Sequence, residues 1–578
     1  MWTMFDLGRL ARLLFVTIIL IGATACTGSA SGTPVVPTGA ASSGSPSSIT
    51  IVIPEEPPDF NALISDTGYD ALVMNMVLLG MTAVDSDGKV FPVLATELPT
   101  QANGGVVRTA DAGMDVTWKM RDDIKWSDGT PVTANDVVFT YNAMMDPDTG
   151  TWFPGSDLVT GVEKLDDHAF VVHFSSVYPS YLTLFGGRQI VIWPAHYCDA
   201  AQGYQNWDCA RQPLSDGPFL LKEWVTGDHL TFEKNPGYYR PGKPEIDQII
   251  VNVVPDATVR TTMMRQGDAD VLMWATEQVA DELKQDSDVK LSVSPTARFV
   301  MRLFLNLADK GSTDPAAQPS PFFSDVRVRQ AVRAAIDVDA ITGSVWYGYA
   351  QPVWSEFFRP PYACDIPRPK FDPEAARSLL EQAGWTDQDG DGIRECNGCQ
   401  TAEPGTKFQF ELTTYSEYGE PLVLTQQLIA ENLKAVGIQA ELSQLQGSVM
   451  WADSSSGGTE QSGNFEVDLY DDGYAGIDPT DFIWQYYHSE SAIPDNGWNV
   501  GRWISPGMDA DLQAAYDLDE TARRSTFCKM ASLLDAQLPE ILLFSTINAD
   551  AYSARLNGVQ ANVNSVVSWN IADWTLTP

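Results

Sequence analysis

Positive charge is scarce in this chain. Against 76 aspartates and glutamates stand 36 lysines and arginines, a formal net charge of −40 over 578 residues. Proteins that hold nucleic acid or adhere to anionic lipid do so through basic surfaces, so neither partner is expected. Histidine is scarcer still: His168, His173, His196, His229 and His488 are the five, and they form no metal-ligand spacing, which argues against nickel as a ligand. Beyond the N-terminal region no segment approaches the roughly 18 unbroken apolar residues of a membrane-spanning helix. The motifs G-x-S-x-G, G-x-x-x-x-G-K-[ST] and H-E-x-x-H are all missing, so no enzyme is expected. An acidic exterior favours solubility and draws cationic solutes, but salt screens that attraction beyond about 8 Å, so charge alone identifies no ligand.

At the N-terminus, Arg9 and Arg12 precede an apolar run from Leu13 to Ala25 that ends in Ala23-Thr24-Ala25-Cys26. Such a run is too short to cross a bilayer and fits an export signal. Small residues ending directly in Cys resemble the processing box of bacterial lipoproteins, which implies that residues 1–26 are a signal segment and that Cys26 carries lipid. Residues 27–48 are nearly all Ser, Thr, Gly, Ala and Pro and read as a flexible tether, spanning a few tens of ångströms on average.

A chain this long calls for more than one lobe. Ile49, Ile51 and Ile53 alternate as a strand, followed by the proline-rich loop Pro54–Asn61. Short strands such as Val116–Met120 and Phe170–Phe174 mark the region from 84 to 250 as α+β. After about residue 297 the grammar changes. Phe408, Phe410 and Leu412 alternate, Leu422–Val436 carries helical spacing closed by Gly437, and Ile438, Ala440 and Leu442 alternate again. That is a β-α-β unit with a parallel pair. Asp372-Pro373 opens a helix that Gly384 closes, and further helices start near Asp325 and Glu520.

Trp126–Asn142 is the sharpest local signal. Asp128-Gly129 turns the chain, Thr133 and Asp136 have the spacing of a capping box, and Val137, Tyr141 and Met144 fall on one helical face. The stretch resembles the signature of the peptide/nickel class of solute-binding lipoproteins, extracellular solute-binding family 5. Further segments support the likeness in order along the chain: Gly217-Pro218-Phe219, Asn235–Tyr239, Phe323–Ala331, Phe371–Ala376 with Leu379–Gly384, and Asp478-Pro479-Thr480-Asp481-Phe482. The resemblance implies an α/β fold of the periplasmic-binding-protein kind (type II, large cluster with an extra subdomain). Its two lobes are residues 49–296 and 297–543, residues 544–578 return to the first lobe, and the two crossovers form a hinge.

By that resemblance the chain is a monomeric, exported receptor, lipid-anchored at the outer face of the membrane or periplasmic. It captures a small solute by hinge closure and passes it to the permease and ATPase of an ABC importer. Peptide is the leading solute. Oligosaccharide is the alternative, given 17 tryptophans for stacking; a lipid-anchored sensor or adhesion protein is another. The implied contacts are Asp59, Phe60 and Asn61 in the proline-rich loop, and Asp471, Asp472, Tyr474, Ala475 and Asp478 in the second lobe. Trp354 and Trp484 are candidate cleft aromatics. Ala475 stands where peptide binders place a carboxylate.

Seven cysteines remain. With Cys26 assigned to lipid, the other six admit 15 pairings, and an exported location favours disulfides. Proximity suggests Cys198 with Cys209 and Cys396 with Cys399, leaving Cys364 with Cys528. Beside the last short pair, Asp387-Gln388-Asp389-Gly390-Asp391-Gly392 matches the first half of a calcium loop, but Gly398 occupies the place of the closing Glu, and Glu395 falls three residues early. A metal-free turn is the favoured reading, with Asp387, Asp389 and Asp391 holding structural calcium as the alternative; no cofactor is required.

Overall fold

The computed structural model describes residues 47–577, apart from 66, 147–152, 188–189, 295–298, 475 and 548. The signal segment, Cys26 and almost all of the tether fall outside the described residues, as does Ala475. Ser48, placed in the tether by sequence, already belongs to the first strand, because its backbone pairs with Gln248.

Two large sheets organise the chain. The first has seven strands, in the order Val289–Val293, Ala549–Ser553, Val271–Ala275, Ser48–Ile53, Gln248–Val253, His229–Lys234 and Phe219–Val225. Its middle strand Ser48–Ile53 lies parallel to both neighbours, and Ile51, Val52 and Ile53 are fully buried. A strand covered on both faces is apolar at consecutive positions, as here. A separate antiparallel sheet of four strands, Val106–Arg108, Met114–Lys119, Ala169–Phe174 and Val159–Asp166, shares the core of the seven-stranded sheet.

The second large sheet runs Ala350–Pro352, Glu540–Thr546, Val300–Leu305, Val467–Asp472, Gln409–Tyr415, Gln439–Leu445. Gln409–Tyr415 and Gln439–Leu445 pair in parallel, joined by the helix Glu420–Lys434, which is the β-α-β unit expected. Helices Val326–Ala335, Pro373–Gln382 and Glu520–Gln537 carry side-chain caps from Asp325, Asp372 and Asp519. Gly384 ends its helix at φ +88°, and a Cβ there would lie 2.7 Å from the Gly398 carbonyl carbon, so both conformation and space require glycine.

The chain passes from the first sheet to the second between Val293 and Val300 and returns between Thr546 and Ala549. This corrects one expectation, that the return to the first lobe starts at residue 544. Ile541–Phe544 does not begin the return to the first lobe, because Phe544 and Ser545 still pair with Met301 and Val300; the return begins at Ala549. Paired crossovers of this kind let two lobes move about a short hinge.

The Trp126–Asn142 stretch folds as its sequence dictates. The helix Ala134–Met144 starts with a complete capping box between Thr133 and Asp136, and Val137, Tyr141 and Met144 are buried. It belongs to the core of the first lobe. Among the described residues no helix is long and apolar enough to cross a membrane.

Candidate functional site: a cavity between the two sheets

A cavity of about 520 Å³ separates the lobes. The first lobe contributes Leu63, Val84, Phe153, Tyr178, Ser180, Leu184, Ile190 and Asn564. The second contributes Asp472, Tyr474, Gly476, Ile477, Asp478, Asp481, Phe482, Gln485, Tyr486 and Trp498. Most of the second wall comes from one strand end, one loop and one helix. Asp472 closes the strand Val467–Asp472, and the helix Thr480–Tyr487 follows after a loop of seven residues. A helix turns about 100° per residue, so Asp481, Phe482, Gln485 and Tyr486 share a face. In a strand alternate side chains part: Asp472 faces the cavity, whereas Asp471 turns away and accepts a bond from the Tyr415 hydroxyl.

The wall is aromatic and acidic. Phe153, Tyr178, Tyr474, Phe482, Tyr486 and Trp498 supply rings, and Asp472, Asp478 and Asp481 supply carboxylates; among the described residues no lysine, arginine or histidine lines the space. The three acids are held differently. Asp478 is saturated: one oxygen takes Arg523 at 2.6 Å, the other takes the Thr480 amide at 3.0 Å and hydroxyl at 2.6 Å. Burial works against its charge, but Arg523 and those hydrogen bonds outweigh it and hold its pKa below the ordinary carboxylate value. Asp472 accepts the Tyr486 hydroxyl and the Gly473 amide. Among the described residues Asp481 accepts one hydrogen bond, from the Tyr516 hydroxyl at 2.8 Å. Burial pushes its pKa up to about 6. Among the described residues the second Asp481 oxygen accepts no hydrogen bond, and Asp481 lines the cavity.

Beneath the floor lies a buried ionic cluster. Arg302, fully buried on the strand Val300–Leu305, pairs with Glu356 and, at 3.1 Å, with Glu540, and donates to the Asp472 carbonyl at 2.8 Å. Tyr487 donates to both glutamates. The guanidinium thus ties the first hinge strand to the strand end that carries Asp472. Arg359 performs a related task under the loop, lying 4.0 Å over the Tyr474 ring and donating to the Tyr474 carbonyl at 3.0 Å.

Of the residues singled out in the sequence, the structure brings Asp472, Tyr474 and Asp478 to the cavity. Others go elsewhere. Phe60 has no exposure and packs edge-on to Trp224 and Phe232, filling core against the first sheet. Asn61 is buried and donates to the Tyr204 carbonyl, and Asp59 caps the Asn61 amide. None of the three lines the cavity; Leu63, just beyond them, does. Trp354 donates to the Ile366 carbonyl on the far side of the second sheet, where it lines two smaller pockets. Trp484 stacks on His488 at 4.0 Å, one helical turn along a different face from Phe482. Asp481 and Phe482 stand within the quoted Asp-Pro-Thr-Asp-Phe segment, where an i, i+4 reading with Gln485 and Tyr486 identifies a common face. Tyr178, Ser180 and Phe153 carry no such signal.

The six cysteines outside the N-terminal region meet as Cys198–Cys209, Cys364–Cys528 and Cys396–Cys399, with sulfur atoms at bonding distance in the first two and close in the third.

A two-lobed α/β protein with its cavity at the hinge has the form of a solute receptor, and the sequence agrees: residues 89–493 match the family described as bacterial extracellular solute-binding proteins, family 5. The chain belongs to that family, whose members are the solute-binding components of importers. Among its relatives is the oligopeptide-binding protein AppA of Bacillus subtilis, 25% identical over 454 residues, which cover 75% of this chain and 76% of that protein. Crystal structures of AppA from B. subtilis with a nonapeptide and of NikA from Brucella suis with Fe(III)-EDTA share the fold. Their TM-scores are 0.64 and 0.73, at 21% and 20% identity, over 92% of this chain and all of theirs.

Proposed function

We propose that this protein captures a peptide-like solute in the interlobe cavity, closes on it about the two hinge crossovers, and delivers it unchanged to the permease of an ABC importer. The observation that carries the reading is the cavity itself, walled by both lobes and floored by the loop Asp472–Asp478. A solute that touches both walls binds only the closed form, and so shifts the open–closed equilibrium by its differential affinity. Its volume suits a short peptide, and AppA, whose name and structure title specify oligopeptide binding, is a relative. The carboxylates of the wall favour an amine or another hydrogen-bond donor at Asp481 and Asp472.

The anchoring part of the reading rests on sequence. Residues 1–26 direct export, Cys26 carries lipid, the tether lets the receptor reach the permease, and the oxidising exterior seals the three cysteine pairs as disulfides. The protein acts as a monomer. An oligosaccharide is the second reading, favoured by the six aromatic side chains in the wall.

Native mass spectrometry of protein from its own host reads both alternatives at once. A co-purified mass ladder spaced by amino-acid residues is the expected result, and a hexose ladder would replace peptide by sugar. Small-angle scattering with and without a tight-binding solute then tests closure; identical curves would refute the hinge mechanism.

A further inference from the structure

Far from any role in the cavity wall, the loop Asp387–Glu395 gathers four carboxylates. Asp387, Asp389, Asp391 and Glu395 each present an oxygen, and these oxygens lie within 4.8 Å of one another. That is the span of two calcium–oxygen bonds of about 2.4 Å placed on opposite sides of one ion. Spacing of Asp at alternate positions is shared by many metal-free turns, and hydrogen bonds inside the loop are what any such turn makes. A separate observation concerns Glu395. Its side chain is buried, with 8% of its surface exposed, and its Oε1 accepts no hydrogen bond. Glu395 Oε2 is engaged by the Gln388 amide at 2.8 Å, which fixes the carboxylate plane and leaves Oε1 directed at the aspartates.

The position of Lys407 shows where Oε1 points. Its ammonium pairs with Asp391 and stands 3.5 Å from Asp389 Oδ2 and 4.0 Å from Glu395 Oε1. Only the first of these is a hydrogen-bonding distance; the other two oxygens face a cation too far away to satisfy them. One ammonium set among four carboxylates leaves three negative charges uncompensated, and the lysine side chain is 41% exposed, free to withdraw into water. The ammonium is a poor stand-in for a multivalent ion at that point.

Backbone geometry explains why Glu395 serves although Gly398 holds the usual closing place. Trp385-Thr386 and Glu395-Cys396 form a two-stranded antiparallel ribbon in which Thr386 faces Glu395, so the chain returns to the first aspartate three residues early. Gly390 and Gly392, at φ +80° and +91°, make the bend.

We infer that Asp387, Asp389, Asp391 and Glu395 bind one calcium ion, with Lys407 as the competing cation that leaves when the metal enters. Oxygen ligands of this number and charge suit a hard divalent ion, and Mg²⁺ is disfavoured by the wide spacing, since it demands octahedral bonds near 2.1 Å. The ion would tie the helix Pro373–Gln382, through Trp385, to the Cys396–Cys399 turn.

The test uses the whole chain, stripped with chelator and titrated with calcium chloride by calorimetry, with thermal melting alongside. The expected result is one site with a dissociation constant of about 10⁻⁵ to 10⁻³ M and a raised melting temperature. Lys407→Met should tighten binding at least about tenfold by removing the competitor, and Asp389→Asn, at an exposed position that folding tolerates, should weaken it by a similar factor. Absence of heat and of any melting shift at about 10 mM calcium, in both the native protein and Lys407→Met, overturns the site. An equal melting shift from sodium chloride at matched ionic strength, or an undiminished calcium response in Asp389→Asn, overturns it as well.

Discussion

Asp550 offers a direct measure of what the hinge region costs at neutral pH. It lies in the strand Ala549–Ser553, immediately after the second crossover, with 7% of its surface exposed. Its Oδ1 accepts the Trp274 amide at 2.9 Å, and Trp274 holds φ at +52°, a left-handed backbone that few side chains adopt. Burial pushes the Asp550 pKa from 3.8 up to about 7. An acid whose folded pKa is raised contributes stability fully below the unfolded pKa and loses it as pH rises through the folded value. The window is therefore about pH 4 to 7, and stability falls across it. A rise of roughly 3 pH units at about 1.4 kcal/mol each bounds the loss at about 4 kcal/mol, before relaxation and water entry reduce it. Asp550→Asn keeps the acceptor for Trp274 and removes the titration, but buries an amide NH₂ that costs about 1–3 kcal/mol when unpaired. The variant should thus be less stable than the native protein near pH 5 and should close or reverse that gap by pH 8, a swing of about 2–4 kcal/mol. Urea midpoints measured for both proteins across this range test it, since all other titrating groups cancel in the difference. Parallel curves from pH 5 to pH 8 would refute the reasoning.

Two further outcomes follow from the packing. Cys364 and Cys528 close a loop of 164 residues, so sealing them removes unfolded-state entropy worth about 5 kcal/mol, and the Cys364→Ser/Cys528→Ser variant should melt well below the native protein; equal melting under non-reducing conditions would show the pair to be unsealed. Phe482→Ala should weaken solute binding about tenfold, some 1.4 kcal/mol, by removing a cavity ring, whereas Trp484→Ala should leave affinity within about twofold while lowering stability. Calorimetry with the co-purified solute and a thermal melt distinguish them, and equal losses of affinity would place Trp484 back in the wall.

What the sequence disclosed depends on the range over which each feature is encoded. The capping box of Thr133 and Asp136, the β-α-β unit from Gln409 to Leu445, and the helix starts at Asp325 and Asp372 are set by neighbours a few residues apart, and all appear where local pattern puts them. The Cys364–Cys528 pair was reached by elimination across a long separation, and succeeded because the nearer pairs used up the alternatives. Errors arose where a residue's role depends on phase or on distant partners. Trp484 sits two residues from Phe482 in a cavity-lining helix, yet about 200° of rotation sends it to His488 and Tyr516 instead. Phe60 lies in the proline-rich loop, where the family resemblance implies a solute contact, but its side chain packs against Trp224 and Phe232, more than a hundred residues away.

The cavity wall combines both limits, because its first-lobe side includes Phe153, Tyr178, Ser180 and Asn564, which come from separated stretches of the chain. Family membership is legible because turns and caps repeat through local chemistry. Solute choice is carried by how far each carboxylate is already satisfied. Asp478 is spoken for by Arg523 and Thr480, and Asp472 by Tyr486 and Gly473, whereas Asp481 has a single phenol partner contributed by Tyr516, on a different helical segment. Three aspartates that look alike in sequence are therefore satisfied to different degrees, and Asp481 has the fewest partners among the described residues.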